Sequence, residues 1–590
     1  MQLYVPRRRA PRKGCFDSTL SEVTAWVDHL PLVSIGQTTR LLYQALSDLN
    51  QQDISPQQRF QALELLRGPV EYVAGRMKRH FVGRALPLAP RKVRVARLSR
   101  EITHMLATGY KIVVIDQIDG MVRQDGDLLV SSMHRAMRLL GSVLLKAYQV
   151  YEPYPESAWL EIHSLYRHAE QTGLHLIPVD DALLTGVTNS SISDTYKQIL
   201  LLSLACPYRL RAAETEHVYQ TLEHWAPLAE LRPASDGCNA LFVTDLDSDQ
   251  PPCYLVFSHP GANHQTCRAL DTRRLAEQVR RAPGKGDADH GRIKISNSTL
   301  RRLMLAWGVM PNRRYARVRD CSEVVMTVGL NSIHYFVSGE AAFGASPVGL
   351  DPHARSCPLG GKEHLDSEDA HQQRDQVASP AETDTGLGHG ISADDTQDST
   401  AGGSDLPPID TTHRAQSWKM VNVSAGGYCL LWNNPETTRA QVGELVGMRE
   451  QSDPDTFHWR VGVIRWLKWS SSDDLQLGVQ MLSPCAVAIA ARPGTGDAED
   501  ESYEKGLLIP EITVIQQQAS VLLPSHPFNV GDDAVANCQG RHVRIRLTKL
   551  VENTGSFAQF HFLPMGDVES VSGKEESQPD FDFDDLWKSL

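Results

Sequence analysis

The 590-residue chain contains no run of about 18 apolar residues, so nothing in it reads as a membrane span. Its first residues, MQLYVPRRRAPRKG, carry the charge of a signal peptide with no apolar stretch behind them. The ten cysteines stand singly, without a CxxC pair or a nearby His partner, which excludes the usual zinc spacing and gives no disulfide framework. His163 and His168 miss the i, i+4 spacing of HExxH, and no Ser-His-Asp or paired-carboxylate arrangement can be argued. GLGHG (386–390) lacks the strand and helix that a phosphate loop needs. No metal is assigned, no enzyme activity is called for, and the scattered thiols point to the cytoplasm.

What is present supports several domains: 41% hydrophobic residues supply cores, and 22% charged residues is ordinary for soluble proteins. The net charge of −12 is unevenly spread. Residues 361–410 hold twelve acidic and two basic residues and no aromatic one, and 566–590 hold eight acidic and two basic. Without these two stretches the rest is mildly basic, at about +4. The segment 341–415 is rich in Asp, Ser, Gly, Gln and Pro and cannot bury enough apolar surface to offset chain entropy, so it is expected to be disordered.

Between 17 and 235 the pattern is helical, after a basic N-terminal arm at 1–16. ISPQQRFQALELLRGPVEYVAGRMKRHF offers Ser55 as N-cap, Pro56 at the first helical position, and Phe60, Leu63, Leu66 and Val70 on one face. YPESAWLEIHSLYRHAEQTGL, DTYKQILLLSLACPYRL and AAETEHVYQTLEHWAPLAEL repeat that grammar, as helical hairpins of the repeat or bundle kind without a clean 34-residue period. A small α/β connecting region (236–310) follows, with strands in CNALFVTDL and CYLVFSHP and helices in RALDTRRLAEQVRR and STLRRLMLAWGV. EVVMTVG and SIHYFVSG read as β-rich, and strand texture resumes at SWKMVNVSAGGYCLLW, HWRVGVIRWLKW and LQLGVQML. A last β domain spans 491–565, ahead of an acidic tail at 566–590.

NRRYARVRD (312–320) places Arg313, Arg314, Arg317 and Arg319 within seven positions, where like charges repel unless something anionic meets them. At the end of a predicted strand, VNVSAGGYCL (421–430) contains Asn422, Ser424 and Gly427 as N-x-S-x-x-G. Together with R-x-x-x-R at Arg313 and Arg317, this resembles the two-part signature of the PilZ domain, the bacterial receptor for cyclic di-GMP. The two motifs are 105 residues apart here, and removing the 75 residues of 341–415 leaves about 30, near the family's usual spacing. GVIRW and LGVQML are similar to the family's later barrel strands.

The resemblance covers roughly 311–490 and implies a six-stranded β-barrel binding cyclic di-GMP. It makes Arg313 and Arg317 the principal ligands and Arg314 an accessory one. Guanidinium groups suit the ligand's phosphodiesters and guanine edges. The Asn422 amide can donate and accept on a base edge, Ser424 offers a hydroxyl, and Gly427 permits close backbone approach.

Residues 76–100 hold nine Lys/Arg and no acid, read here as a solvated helix face over a nucleic-acid or lipid contact. STLRRLMLAWG is read as packing against the barrel in preference to a DNA-recognition role. In FDFDDLWKSL, Phe583, Leu586, Trp587 and Leu590 fall on one helical face, suited to docking a protein partner. The reading is a multidomain α+β protein: a helical N-terminal interaction region, a PilZ-like six-stranded barrel, and a further C-terminal β domain. Its expected function is cytoplasmic cyclic di-GMP signalling through an unidentified protein partner. The alternative is a scaffold or chaperone-like adaptor whose barrel is only structural.

Overall fold

The structure, a computed structural model, describes residues 1–10, 14–119, 125–234, 240–257, 265–281, 295–308, 317–340, 413–424, 426–434, 438–450, 459–470, 474–494, 503–512, 517–538 and 540–567. Arg313, Arg314, nearly all of the 341–415 segment, and the tail from 568 onward lie outside these residues.

Eight helices open the chain: α1 (Leu20–Asp28), α2 (Ile35–Gln51), α3 (Pro56–Lys78), α4 (Pro90–Asp119), α5 (Gly126–Gln149), α6 (Ala158–Gln171), α7 (Ile192–Leu204) and α8 (Ala212–Trp225). A hairpin of β1 (Pro178–Asp180) and β2 (Asn189–Ser191) sits between α6 and α7. α3 begins as its sequence specifies, with Ser55 Oγ accepting from the Gln58 amide at 3.2 Å and Pro56 in the first turn. α7 carries a full capping box from Ser191 and Asp194. The arrangement is a bundle and not a solenoid, because α5 packs against α3, α4, α6, α7 and α8 at once. Among the described helices α5 alone is long and apolar enough to cross a membrane, and 78% of that window is buried inside the protein. The N-terminal arm lies against this bundle. Arg8 bonds Asp116 at 2.7 Å, and the Tyr4 amide donates to Glu161 at 2.8 Å.

The connecting region forms a four-stranded sheet of β3 (Glu230–Pro233), β4 (Phe242–Asp245), β5 (Cys253–Tyr254) and β6 (Cys267–Asp271) in the order β3-β6-β4-β5. Helices α9 (Arg273–Arg281) and α10 (Asn297–Gly308) follow. Two expectations change here. RALD belongs to β6, and the helix starts only after Thr272, whose hydroxyl donates to the Trp307 carbonyl at 2.6 Å. Among the described residues α10 packs on α7, α8 and α9 in place of the barrel face expected for it: Trp307 Nε1 donates to the Leu201 carbonyl at 3.1 Å, and Thr299 donates to Glu214 at 2.6 Å.

The first barrel contains β7 (Val318–Arg319), β8 (Glu323–Val328), β9 (Ala415–Ser424), β10 (Gly427–Trp432), β11 (Leu445–Glu450), β12 (Arg460–Trp469) and β13 (Leu475–Ser483). Six strands close in the order β8-β9-β10-β13-β12-β11, all neighbours antiparallel, and short β7 pairs with the second half of β9. Its interior holds Trp418 against Trp432 (4.8 Å), with Met420, Leu430, Leu477 and Ile464. SIHYFVSG, expected to be β-rich, is instead the helix α11 (Leu330–Val337). Gly329 at φ +95° turns the chain out of β8, and Leu330, Ile333 and Val337 then recur at helical spacing against the second barrel. That tertiary packing overrides the β-propensity of the segment.

The second barrel closes β14 (Val487–Pro493), β15 (Glu504–Ile509), β16 (Ser520–Leu523), β19 (Ala558–Asp567), β18 (Arg541–Asn553) and β17 (Asp533–Cys538) in that order. The first barrel is fastened to the helical bundle by Trp469, whose Nε1 and amide donate to the carbonyls of Val150 (3.1 Å) and Tyr151 (3.0 Å).

Candidate functional site

The two motifs meet on the outer surface of the first barrel through strand pairing. Arg319 on β7 lies opposite Asn422 on β9, and on the other side Asn422 faces Cys429 and Ser424 faces Gly427 on β10. Simple alternation along β9 would send Trp418, Met420, Asn422 and Ser424 to one face. A register shift intervenes: Met420 pairs with Leu430 while Asn422 pairs with Cys429, so Val421 is the extra residue. The bulge leaves Trp418 and Met420 in the core and turns Asn422 and Ser424 outward.

Arg317, two residues before Arg319 and exposed, shares that outer face. Burial pushes the Cys429 thiol above its ordinary range, and the nearby Arg317 guanidinium opposes the shift. No carboxylate among the described residues pairs with Arg317 or Arg319.

Gly427 is needed on backbone grounds. Its φ is +150°, and a Cβ there would sit 1.9 Å from the Val479 carbonyl oxygen of β13. Ser424 Oγ donates to the Gly427 carbonyl at 3.2 Å, tying the turn between the two strands.

The row continues past the motif residues. Gly427 pairs with exposed Gln480 and Cys429 with Gly478 on β13, and Gly478 pairs with Trp466 on β12. A Cβ on Gly478 would meet Trp466 Nε1 at 1.9 Å, so the half-exposed indole lies flat where any other residue would project. The resulting strip offers guanidinium groups at one end, an amide and hydroxyl in the middle, and an aromatic edge at the other. That set of groups suits an anionic ligand carrying a flat heterocycle.

The structure therefore brings Arg317, Asn422, Ser424 and Gly427 to one face, while Arg313 and Arg314 lie outside the described residues. Sequence reasoning assigned no role to Arg319, Trp466, Gly478 or Gln480. The available signal was Gly478 beside strand residues in LGVQML, but only the barrel's register shows which tryptophan covers it.

Three models of one family match in order along the chain. They are the N-terminal domain of the cyclic-di-GMP receptor FimW (residues 21–235), its middle PilZ domain (241–487) and its C-terminal beta-barrel domain (489–565). The middle of the chain, residues 241–487, thus matches a PilZ domain. It is 28% identical to the cyclic-di-GMP receptor FimW of Pseudomonas aeruginosa, over all of this chain and 99% of that protein. No solved structure matches it. The last boundary falls at the start of the second barrel, whereas the first runs through the four-stranded sheet and leaves β3 with the helical domain.

Proposed function

We propose that the PilZ barrel binds cyclic di-GMP on its outer face and that this protein is a binding, non-catalytic signalling component of the bacterial cytoplasm. The observation that carries the reading is the juxtaposition of Arg317 with Asn422, Ser424 and Gly427 across three strands, produced by the β9 bulge. In this reading Arg317 and Arg313 take the phosphodiesters or guanine edges, with Arg314 as an accessory cation. Asn422 reads a base edge, Ser424 contributes its hydroxyl, and Gly427 lets the ligand approach the backbone. The Trp466 indole gives a second flat surface for a base. The likeness to a named cyclic-di-GMP receptor over the whole chain supports the ligand class.

Occupancy is passed to a protein partner through the helical bundle, to which the barrel is bonded at Trp469, or through the C-terminal tail. The adaptor reading is favoured by one observation: Ser424 already spends its hydroxyl on the Gly427 carbonyl, a purely structural use. Calorimetric titration with cyclic di-GMP separates the two. Saturable binding that weakens in Arg317→Ala supports the receptor, and no heat at high ligand concentration with folded protein supports the adaptor.

A further inference from the structure

The strand that carries Trp466 also carries an arginine with a divided loyalty. β12 has its own register shift between Ile464 and Trp466, which makes Arg465 the extra residue and leaves it on the outer face beside Trp466. Its Nε donates to Gln480 Oε1 at 2.7 Å, and Gln480 lies directly opposite Gly427. With strands about 4.8 Å apart, Arg465 stands about two strand widths from Gly427, within reach of a ligand lying across that face. The two terminal nitrogens of the same guanidinium fork onto Glu552, Nη2 to Oε2 at 2.8 Å and Nη1 to Oε1. Glu552 belongs to β18 of the second barrel and follows a shift in that strand's pairing, so both partners are aimed by irregularities in otherwise regular strands.

Glu552 stands at the base of the β18–β19 turn, a part of the second barrel that touches both of its neighbours. Phe557 is fully buried in one cluster with Leu445, Val461 and Val463 of the PilZ barrel. Arg211, at the start of α8, donates to the Val442 carbonyl (2.8 Å) and to Ser556 Oγ (2.7 Å), and the Ser556 hydroxyl donates to Glu444 (2.7 Å). Three domains thus converge on this turn, and Arg465 is the contact within it that also borders the candidate ligand face.

The geometry points to Arg465 as a further ligand-binding residue that exchanges partners: a phosphodiester of the bound dinucleotide takes its guanidinium fork from Glu552, so that binding loosens the β18–β19 turn. This rests on the reading of the PilZ barrel as a cyclic di-GMP site. Phosphate and carboxylate offer the fork equivalent geometry, so the exchange keeps the arginine satisfied. By linkage, a ligand that competes with Glu552 weakens the turn, and a weakened Arg465–Glu552 pair strengthens the ligand.

The test compares calorimetric affinity for cyclic di-GMP in the full-length wild type, Glu552→Gln, Arg465→Ala and Arg317→Ala, together with amide hydrogen exchange across 548–557 with and without the ligand. The expected results are about fivefold tighter binding by Glu552→Gln, corresponding to about 1 kcal/mol for the lost pair, and about tenfold or more weaker binding by Arg465→Ala. Exchange in the wild-type turn should quicken when ligand is added. Wild-type or weaker affinity in Glu552→Gln, beside a clear loss in Arg317→Ala, overturns the exchange while leaving the binding site standing. Absence of binding by the wild type removes both. Should Glu552→Gln fail to fold, unchanged or slowed exchange in the ligand-bound wild type is enough to overturn the inference.

Discussion

The chain builds two closed six-stranded barrels one after the other in sequence, and they differ in how particular surface arginines are held. On the second, Arg546 is engaged by Asp533 through two bonds, Nε to Oδ1 at 2.7 Å and Nη2 to Oδ2 at 3.1 Å, and Arg492 lies 5.6 Å from the Tyr503 ring. On the first, exposed Arg317 and Arg319 have no carboxylate partner among the described residues, and the strands beside them carry glycines at two tight places. The closed-barrel architecture is shared, so the difference lies in what is placed on it. An arginine already held within its own barrel, as Arg546 is, has finished its chemistry. Arginines left open beside an amide, a hydroxyl and an indole leave room for a ligand.

The sharpest way to break that contrast is at Gly427. Gly427→Ala pushes a methyl group into the Val479 carbonyl, a backbone atom that cannot swing aside, at a φ that L-residues rarely adopt. The expected cost is about 2–4 kcal/mol in urea unfolding, with loss of ligand binding. Gly478→Ala meets only the Trp466 ring, which can move, so about 1 kcal/mol and a changed tryptophan emission are expected. Equal costs for the two would mean that Gly427 is not the tight point of the site.

Next in size is the pair Arg317→Ala and Arg546→Ala. The first should weaken cyclic di-GMP by about tenfold to a hundredfold, the loss of about 1–3 kcal/mol expected for a bidentate contact, with little change in melting temperature. The second should leave affinity alone, because its charge is already spent on Asp533. Calorimetry giving the same affinity for wild type and both variants would erase the distinction between the barrels.

Much of this was legible in the residues. Ser55-Pro56 announced α3, and the two motifs announced the barrel despite the 105 residues between them. Three things were not legible, each because it depends on pairing or packing across the chain. SIHYFVSG has β-favouring residues, and its helix exists because Leu330, Ile333 and Val337 find the second barrel. STLRRLMLAWG lies on the bundle because Trp307 finds the Leu201 carbonyl. Asn422 and Ser424 share the parity of core residues Trp418 and Met420, and only the bulge at Val421 turns them outward. A one-residue register shift leaves no mark in composition or periodicity.

Acid separates the barrels more gently. Asp533 is held below the usual carboxylate value of 3.8, chiefly by its hydrogen bonds from Arg546. A carboxylate whose pKa is lower folded than unfolded adds stability above the unfolded value and loses it as the pH falls through the folded one. The second barrel should therefore weaken slightly below about pH 4, and Asp533→Asn should remove that part of the slope. Melting curves of wild type and variant that stay parallel from neutral pH to about pH 3 would show that the pair contributes nothing.

The smallest effect reports on Arg317 without any ligand. Burial raises the Cys429 thiol, and the nearby Arg317 guanidinium draws it back toward the ordinary value of 9.0. Removing that charge in Arg317→Ala should raise the thiol further and lower the fraction present as thiolate, the species that reacts with iodoacetamide. At about pH 9, where the thiolate fraction is still limited by pKa, alkylation of Cys429 should slow by about two- to threefold. Cys538 of the second barrel, distant in sequence and on different strands, should react at the wild-type rate and so controls for a general loosening of the fold. Cyclic di-GMP added to the wild type should slow Cys429 by covering it, and should do so much less in the variant. Equal Cys429 rates in wild type and Arg317→Ala would place the arginine away from the Asn422–Cys429 row, and the barrel's open cation would then lie somewhere other than at the motif that named it.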